Sequence, residues 1–154
     1  MKYAGIGRRT ITPEIFSLLS RYGKARALRG DILRSGGAQG ADQAFFEGCQ
    51  KGNGSFEIFH AHDVTTKAWE IAQNFVVRWH SLEPYVQGLY ARNVMILLGH
   101  NLADPVSEVI YWVEEGGACR GGTGMALRVA THFNIPCVHA VVRPKSGSLI
   151  LYDI

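Results

Sequence analysis

The sequence predicts a Rossmann-like α/β fold, in which a mainly parallel sheet lies between two layers of helices. Short apolar segments typical of strands alternate along the chain with segments whose apolar residues recur at helical spacing. Residues 106–113 are almost continuously β-forming, which is typical of a central strand covered on both faces. Glycine accounts for 18 of the 154 residues, and many of these glycines fall where a predicted strand passes into a helix. Together these features favour a three-layer α/β/α arrangement.

Each element has its own signal within one predicted domain, residues 1–154. Thr12 and Pro13 are typical of a helix start, and Gly30 of a helix end. Strands are expected at residues 2–6, 32–35, 56–60, 106–113, 135–142 and 148–152. Further helices are expected at residues 41–49, 64–79, 84–99 and 125–133. Residues 61–82 are the least regular part and are interpreted as a helical insertion or a lid.

Charge and cysteine content narrow the class of protein. The formal net charge of +3, without a long run of like charges, permits a phosphate-bearing ligand but does not require one. The three cysteines have no CxxC spacing, and the start of the chain does not resemble a secretory leader. No apolar stretch reaches the ~20 residues that span a bilayer. We therefore expect a cytoplasmic protein that does not contact a membrane.

Histidine and aromatic residues near residues 60–85 allow two interpretations each. His60 and His62 are two apart at the end of a predicted strand, so both rings could face one ion, but further ligands are not evident nearby. We therefore expect no metal and no other cofactor. Trp69, Trp79 and Tyr85 are interpreted as packing residues, with stacking on a base as the alternative.

Two glycine-rich loops carry the functional prediction. Residues 35–42 and 121–124 each follow a predicted strand, and the carboxyl ends of parallel strands meet at one edge of a sheet. Gly36 and Gly37 allow a sharp turn, Gly40 would let a ligand approach the main chain, and the following helix N-terminus suits a phosphate. The predicted ligand-binding residues are Gly7, Arg8, Ser35, Gly36, Gly37, Ala38, Gly40, Asp42, Arg92, Asn93, Gly121, Gly122, Thr123 and Gly124.

These residues resemble a known family. Residues 34–42, Arg-Ser-Gly-Gly-Ala-Gln-Gly-Ala-Asp, resemble the S-G-G-A-x-G-x-D loop of the Rossmann domain of DNA-processing protein A (DprA), and residues 90–93 resemble its A-R-N segment. The layout is similar to that of the SLOG superfamily, which includes the LOG-type cytokinin-activating hydrolases and lysine-decarboxylase-like proteins. The chain most resembles short, standalone DprA-like proteins of phages and prophages. The resemblance implies a nucleotide or nucleotide-derived ligand and a homo-oligomer.

The second loop departs from the hydrolase pattern. LOG-type hydrolases carry a P-G-G-x-G-T-x-x-E loop whose glutamate takes part in cleaving the base from the ribose. In this sequence Arg120, Met125 and Arg128 stand at the proline, threonine and glutamate positions. The resemblance therefore does not supply the usual catalytic group.

Three functional hypotheses stay open. The first is a module that binds the phosphate of a nucleotide without consuming it. The second is a nucleoside 5′-monophosphate N-glycosidase, for which Glu114, Glu115 and Asp42 are the candidate catalytic carboxylates. The third is a single-stranded DNA-binding protein, for which a net charge of +3 is weak support.

Overall fold

A computed structural model describes residues 1–142 and 149–153 and shows the predicted alternation of strands and helices. The strands are β1 (Lys2–Gly7), β2 (Ile32–Ser35), β3 (Phe56–Ile58), β4 (Glu108–Trp112), β5 (Cys137–Val142) and β6 (Leu149–Asp153). The helices are α1 (Pro13–Leu28), α2 (Ala41–Lys51), α3 (Thr66–Gln73), α4 (Pro84–Leu98) and α5 (Gly121–His132).

The strands form one sheet in the order β3-β2-β1-β4-β5-β6. Strands β1 to β5 run parallel, and β6 pairs antiparallel with β5. The chain moves from β1 outward through β2 and β3, then returns to the other side of β1 for β4 and β5. This reversal between β1 and β4 opens a crevice at the carboxyl ends of these two strands, where ligands bind in such sheets.

Helices cover both faces of the sheet, which confirms the three-layer prediction. On β4, Val109 and Tyr111 belong to the core formed with α3, α4 and α5. The alternate residues Ile110 and Trp112 belong to the core formed with α1 and α2. This alternation follows from the two-residue period of a strand, and it makes β4 the buried central strand that its sequence predicts.

The ends of α1 follow the predicted signals. The Thr12 hydroxyl accepts a hydrogen bond from the Ile15 N–H at 3.3 Å, as an N-cap does. Arg29 closes the helix, and Gly30 follows it at φ +84°. Glycine adopts this left-handed conformation without a Cβ clash, so the chain can turn directly into β2.

Residues 61–82 differ from the single long helix predicted for residues 64–79. The helix there spans only Thr66–Gln73, between 3₁₀ turns at Ala61–Asp63 and Trp79–Ser81. Phe75 and Val76 continue the apolar spacing because they pack against the same core from a non-helical turn. The segment is built onto α4, with Ala68, Ala72 and Trp79 buried.

Several boundaries also differ by a few residues. β3 ends at Ile58 instead of residue 60, and β4 is three residues shorter than residues 106–113. β5 begins at Cys137, two residues later than predicted. The predicted final strand is present as β6, one residue further along, and its predicted first residue, Ser148, lies outside the described residues.

Candidate functional site

A cleft of about 830 Å³ lies at the switch between β1 and β4. Its walls come from the ends of these strands, the loop after β2, one side of α4 and the first turn of α5. Of the predicted ligand-binding residues, the cleft is lined by Gly7, Arg8, Ala38, Asp42, Arg92, Asn93, Gly121, Gly122 and Thr123. The two glycine-rich segments are thus brought to the same cleft.

Helix α4 ties the two segments together. The Arg92 Nη1 donates a hydrogen bond to the Gly36 carbonyl oxygen at 3.1 Å. The neighbouring Asn93 Nδ2 donates to the Gly122 carbonyl oxygen at 3.1 Å. Because the two bonds come from consecutive residues of one helix, the position of each loop relative to the other is fixed.

The first loop surrounds a carboxylate of its own chain. The Gly36 N–H donates to Asp42 Oδ2 at 3.2 Å. The N–H groups of Ala38 and Gly7 also stabilise the Asp42 carboxylate. The main-chain amides that were expected to face a phosphate are therefore already directed at Asp42.

Amides at the N-terminus of α2 also form hydrogen bonds within the protein. The Ala41 N–H donates to the Arg8 carbonyl oxygen at 3.0 Å, and the Gln43 N–H donates to the Ala38 carbonyl oxygen at 3.0 Å. Two of the amides that this helix end was predicted to offer to a ligand, those of Ala41 and Gln43, are therefore already bonded within the protein.

The crossing of residues 8–9 over the loop explains why position 40 is a glycine. Its φ is +91°, and a Cβ there would overlap the carbonyl oxygens of Arg8 and Arg9. The close approach expected of a ligand is made instead by the chain itself.

Gly40→Ala is expected to lower the free energy of unfolding by about 2 kcal/mol, since alanine adds a backbone clash to an unfavourable φ. Gly30→Ala is the matched control, because φ is +84° there and open space surrounds the added Cβ; about 1 kcal/mol is expected. Urea unfolding of both variants measures the difference. Equal losses would contradict the assigned overlap.

The first turn of α5 is open to the cleft. The helix begins at Gly121, four residues earlier than predicted, so residues 121–124 are its first turn and not a preceding loop. The Gly124 N–H donates to the Arg120 carbonyl oxygen at 3.2 Å, and no described side chain caps this end. The N–H groups of Gly121, Gly122 and Thr123 have no acceptor within the helix, and all three residues line the cleft. This end can accept an anion.

Arg92 places a buried positive charge in the same cleft. Only 8% of the residue is exposed, and its Nε donates to Asn93 Oδ1 at 3.2 Å. Among the side chains that the structure describes, no carboxylate lies within 4.0 Å of its guanidinium. Burial lowers the Arg92 pKa, and the more distant Asp42 partly opposes this effect. A buried cation without a contacting anion, facing a cleft, is an electrostatic site for an anion.

Asp42 is a second buried ionisable group in the cleft. Burial raises its pKa to about 6, although Arg92 and the surrounding N–H groups favour the ionised form. The carboxyl group therefore changes its charge state close to neutral pH.

The raised pKa of Asp42 has a defined effect on stability. The unfolded chain releases this proton near its ordinary pKa of 3.8 and the folded chain near 6. Below both pKa values, ionisation of Asp42 does not change the free energy of unfolding. As pH rises between them, ionisation lowers the free energy of unfolding, and the loss reaches about 3 kcal/mol above pH 6. We expect the unfolding free energy of the wild type, minus that of Asp42→Asn, to fall by this amount between about pH 3 and 7. A flat or rising difference in denaturant titrations would contradict the assignment.

Other predicted site residues lie away from the cleft surface. The Ser35 hydroxyl donates to the Gly5 carbonyl oxygen at 2.7 Å inside the sheet, and Gly124 packs against the Cys119 carbonyl. Gly36 and Gly37 line a smaller neighbouring cavity. Glu114 forms an ion pair with Arg8 at 2.8 Å on the exposed rim, and Glu115 is exposed. Neither glutamate lines the cleft.

The sequence analysis did not predict one wall of the cleft. Val86, Leu89 and Tyr90 line the cleft beside Asn93, at successive helical spacings along α4. The signal was available, because α4 is apolar on more sides than packing against the sheet requires. The other lining residues outside the predicted set are Ile6, Arg9, Thr10, Val113, Ala118 and Arg120.

Comparison with known proteins gives no significant match to a family model, a curated protein or a solved structure. The resemblance of residues 34–42 and 90–93 to SLOG proteins therefore stays a prediction. Within the described residues, no helix is both long and apolar enough to cross a bilayer. The described part of the chain also contains no group of three or more His, Cys, Asp or Glu residues arranged to hold a metal ion.

Proposed function

We propose that this protein binds a nucleotide or nucleotide-derived ligand through a phosphate group held between the first turn of α5 and Arg92. The observation that carries the proposal is the buried Arg92 guanidinium, which lacks a contacting carboxylate among the described side chains and lines the same cleft as an uncapped helix N-terminus. Amide dipoles and a guanidinium are the donors that phosphate groups prefer in proteins.

The remaining walls suit the rest of a nucleotide. Val86, Leu89 and Tyr90 give an apolar side against which a base can pack. Asp42 also lines the cleft, and its carboxylate is an acceptor for a ribose hydroxyl or an amino group. The site thus combines one subsite that binds an anion with an apolar surface, as small-molecule sites commonly do.

Calorimetric titration with the four nucleoside 5′-monophosphates, and with the same nucleosides lacking phosphate, tests the proposal. At least one monophosphate is expected to bind, and its nucleoside at least about tenfold more weakly, because the phosphate supplies the charge-assisted contacts. Equal affinities for both would overturn the proposal. Native mass spectrometry of the purified protein, followed by denaturation, would show whether a retained nucleotide is unchanged.

One observation favours N-glycosidase activity as the second candidate. Asp42 is a buried carboxyl group that lines the cleft, with a pKa raised to about 6, and such groups serve as acids or bases in glycosidic cleavage. Incubation with nucleoside monophosphates would then release free base, and Asp42→Asn would stop the release while the nucleotide still bound. Recovery of intact nucleotide throughout excludes this candidate.

A further inference from the structure

A second lobe of about 330 Å³ adjoins the main cleft. Arg9, Ala38, Leu89 and Arg92 line both lobes. The two lobes are therefore neighbours that share part of their lining, and Arg92 belongs to both. A ligand that occupies both lobes would pass this shared lining.

The second lobe carries positive and aromatic groups. The His60 and His62 rings lie stacked, with centroids 5.4 Å apart and planes inclined by 14°. Tyr85 is 68% exposed at the same lobe. No carboxylate lines it among the described residues, although the Asp63 carboxylate contacts His62 Nε2 at 3.3 Å.

We propose that this lobe binds a second phosphoryl group, so that the ligand is a compound of the dinucleotide class with two phosphate-bearing nucleoside units. The inference rests on the proposed function, because the first phosphate occupies the α5 end. Two imidazoles and the shared guanidiniums of Arg9 and Arg92 supply donors to the second phosphate. A metal cation does not fit the lobe, because both arginines would repel it.

The exposed aromatic residue of the second lobe suits the base of a dinucleotide. Tyr85 presents an exposed ring beside the lobe, and a base next to the second phosphate can stack on this face. Trp69 and Trp79, by contrast, pack edge to face with each other at 5.5 Å against the core.

Calorimetry with 5′-phosphorylated dinucleotides and with the corresponding 5′-monophosphates tests the proposal. The dinucleotide is expected to bind at least about tenfold more tightly than the monophosphate. The double variant His60→Gln/His62→Gln is expected to remove this advantage and change monophosphate affinity by less than about twofold. His80→Gln/His100→Gln removes two exposed histidines outside both lobes and is the matched control.

Removal of the charge beside His62 provides an independent readout. Asp63→Asn removes a negative charge beside His62 and is expected to strengthen dinucleotide binding about twofold or more. Weaker binding would show that the lobe favours a cation and would overturn the proposal. A 12-nucleotide oligonucleotide without terminal phosphates tests whether the two phosphates belong to a nucleic-acid strand or to a free dinucleotide. Binding tighter than that of the dinucleotide indicates a strand, and weaker binding indicates a free dinucleotide.

The two proposals fail in different ways. If a monophosphate binds and Arg92 is required, but the dinucleotide has no advantage and the His60/His62 variant behaves as wild type, only the second-lobe proposal is overturned. If neither monophosphates nor dinucleotides bind, both proposals are overturned.

Discussion

Replacing Arg92 with methionine is expected to weaken binding of a nucleoside monophosphate about 1000-fold, equivalent to roughly 4 kcal/mol. The wild-type guanidinium is buried and shared between both lobes, so its contacts with phosphate are made out of water, where they are strongest. Methionine keeps much of the aliphatic volume and buries no charge, but it leaves the Gly36 carbonyl without its donor, so we expect Tm to fall by an amount equivalent to about 1 kcal/mol. Calorimetry and thermal unfolding of the same sample measure the two effects.

Arg26→Met is the matched comparison with the opposite outcome. Arg26 is also buried, but it contacts Asp31 and Glu108, the latter at 2.7 Å, on the far side of the sheet from α4. Its loss leaves Glu108 without this partner and Asp31 with only the N-terminal ammonium of Met1, and it is expected to lower stability by about 3 kcal/mol, while the folded protein keeps its ligand affinity. Wild-type affinity in Arg92→Met, or lost affinity in Arg26→Met, would contradict the division between a binding and a structural arginine.

The sheet edge of the site could be predicted because it depends on local signals. Each of β1, β2 and β4 is marked by a short apolar run, and in a parallel sheet the ends of such strands gather at one edge. The strand order follows from long-range crossovers that no short segment encodes. The position of the cleft between β1 and β4 therefore emerged only from the fold.

Glycine patterns located both loops but did not separate their roles. Gly40 and Gly122 occupy similar places, each near the start of a helix after a strand. Gly40 is required by the crossing of residues 8–9, whereas the space around Gly122 opens into the cleft. The difference depends on segments distant along the chain, since residues 8–9 approach Gly40 and Asn93 of α4 faces Gly122. Local composition therefore cannot reveal it.

The environment of Asp42 shows the same limit. Its place in the first turn of α2 is typical of a helix N-terminal acid, which is normally solvated and ionised. Its raised pKa arises from burial by the tertiary fold, which outweighs the opposing effects of Arg92 of α4 and of the Gly7 N–H of β1. The sequence thus predicts that the residue belongs to the site, and the tertiary fold determines its charge state.

Gly122→Val is expected to reduce monophosphate binding at least 1000-fold, or roughly 4 kcal/mol, by filling the anion position. Gly122 has a backbone conformation that other residues adopt, and a Cβ there would lie 3.4 Å from Asn93 Nδ2 at the cleft. The valine methyl groups would cover the open amides of the first turn of α5. Since the helix can accommodate valine, we expect the unfolding free energy to change by about 1 kcal/mol or less.

Two further variants make this result specific. Thr123→Val keeps the side-chain volume in the same turn but removes the hydroxyl, so we expect a loss of less than about tenfold. Gly37→Val is a poor probe, because φ is +63° there and the added Cβ would lie 3.1 Å from Ile58, so lost binding could reflect a disturbed loop. Calorimetry on Gly122→Val and Thr123→Val therefore decides the assignment: equal, wild-type affinities in both would mean that the phosphate does not lie at the start of α5.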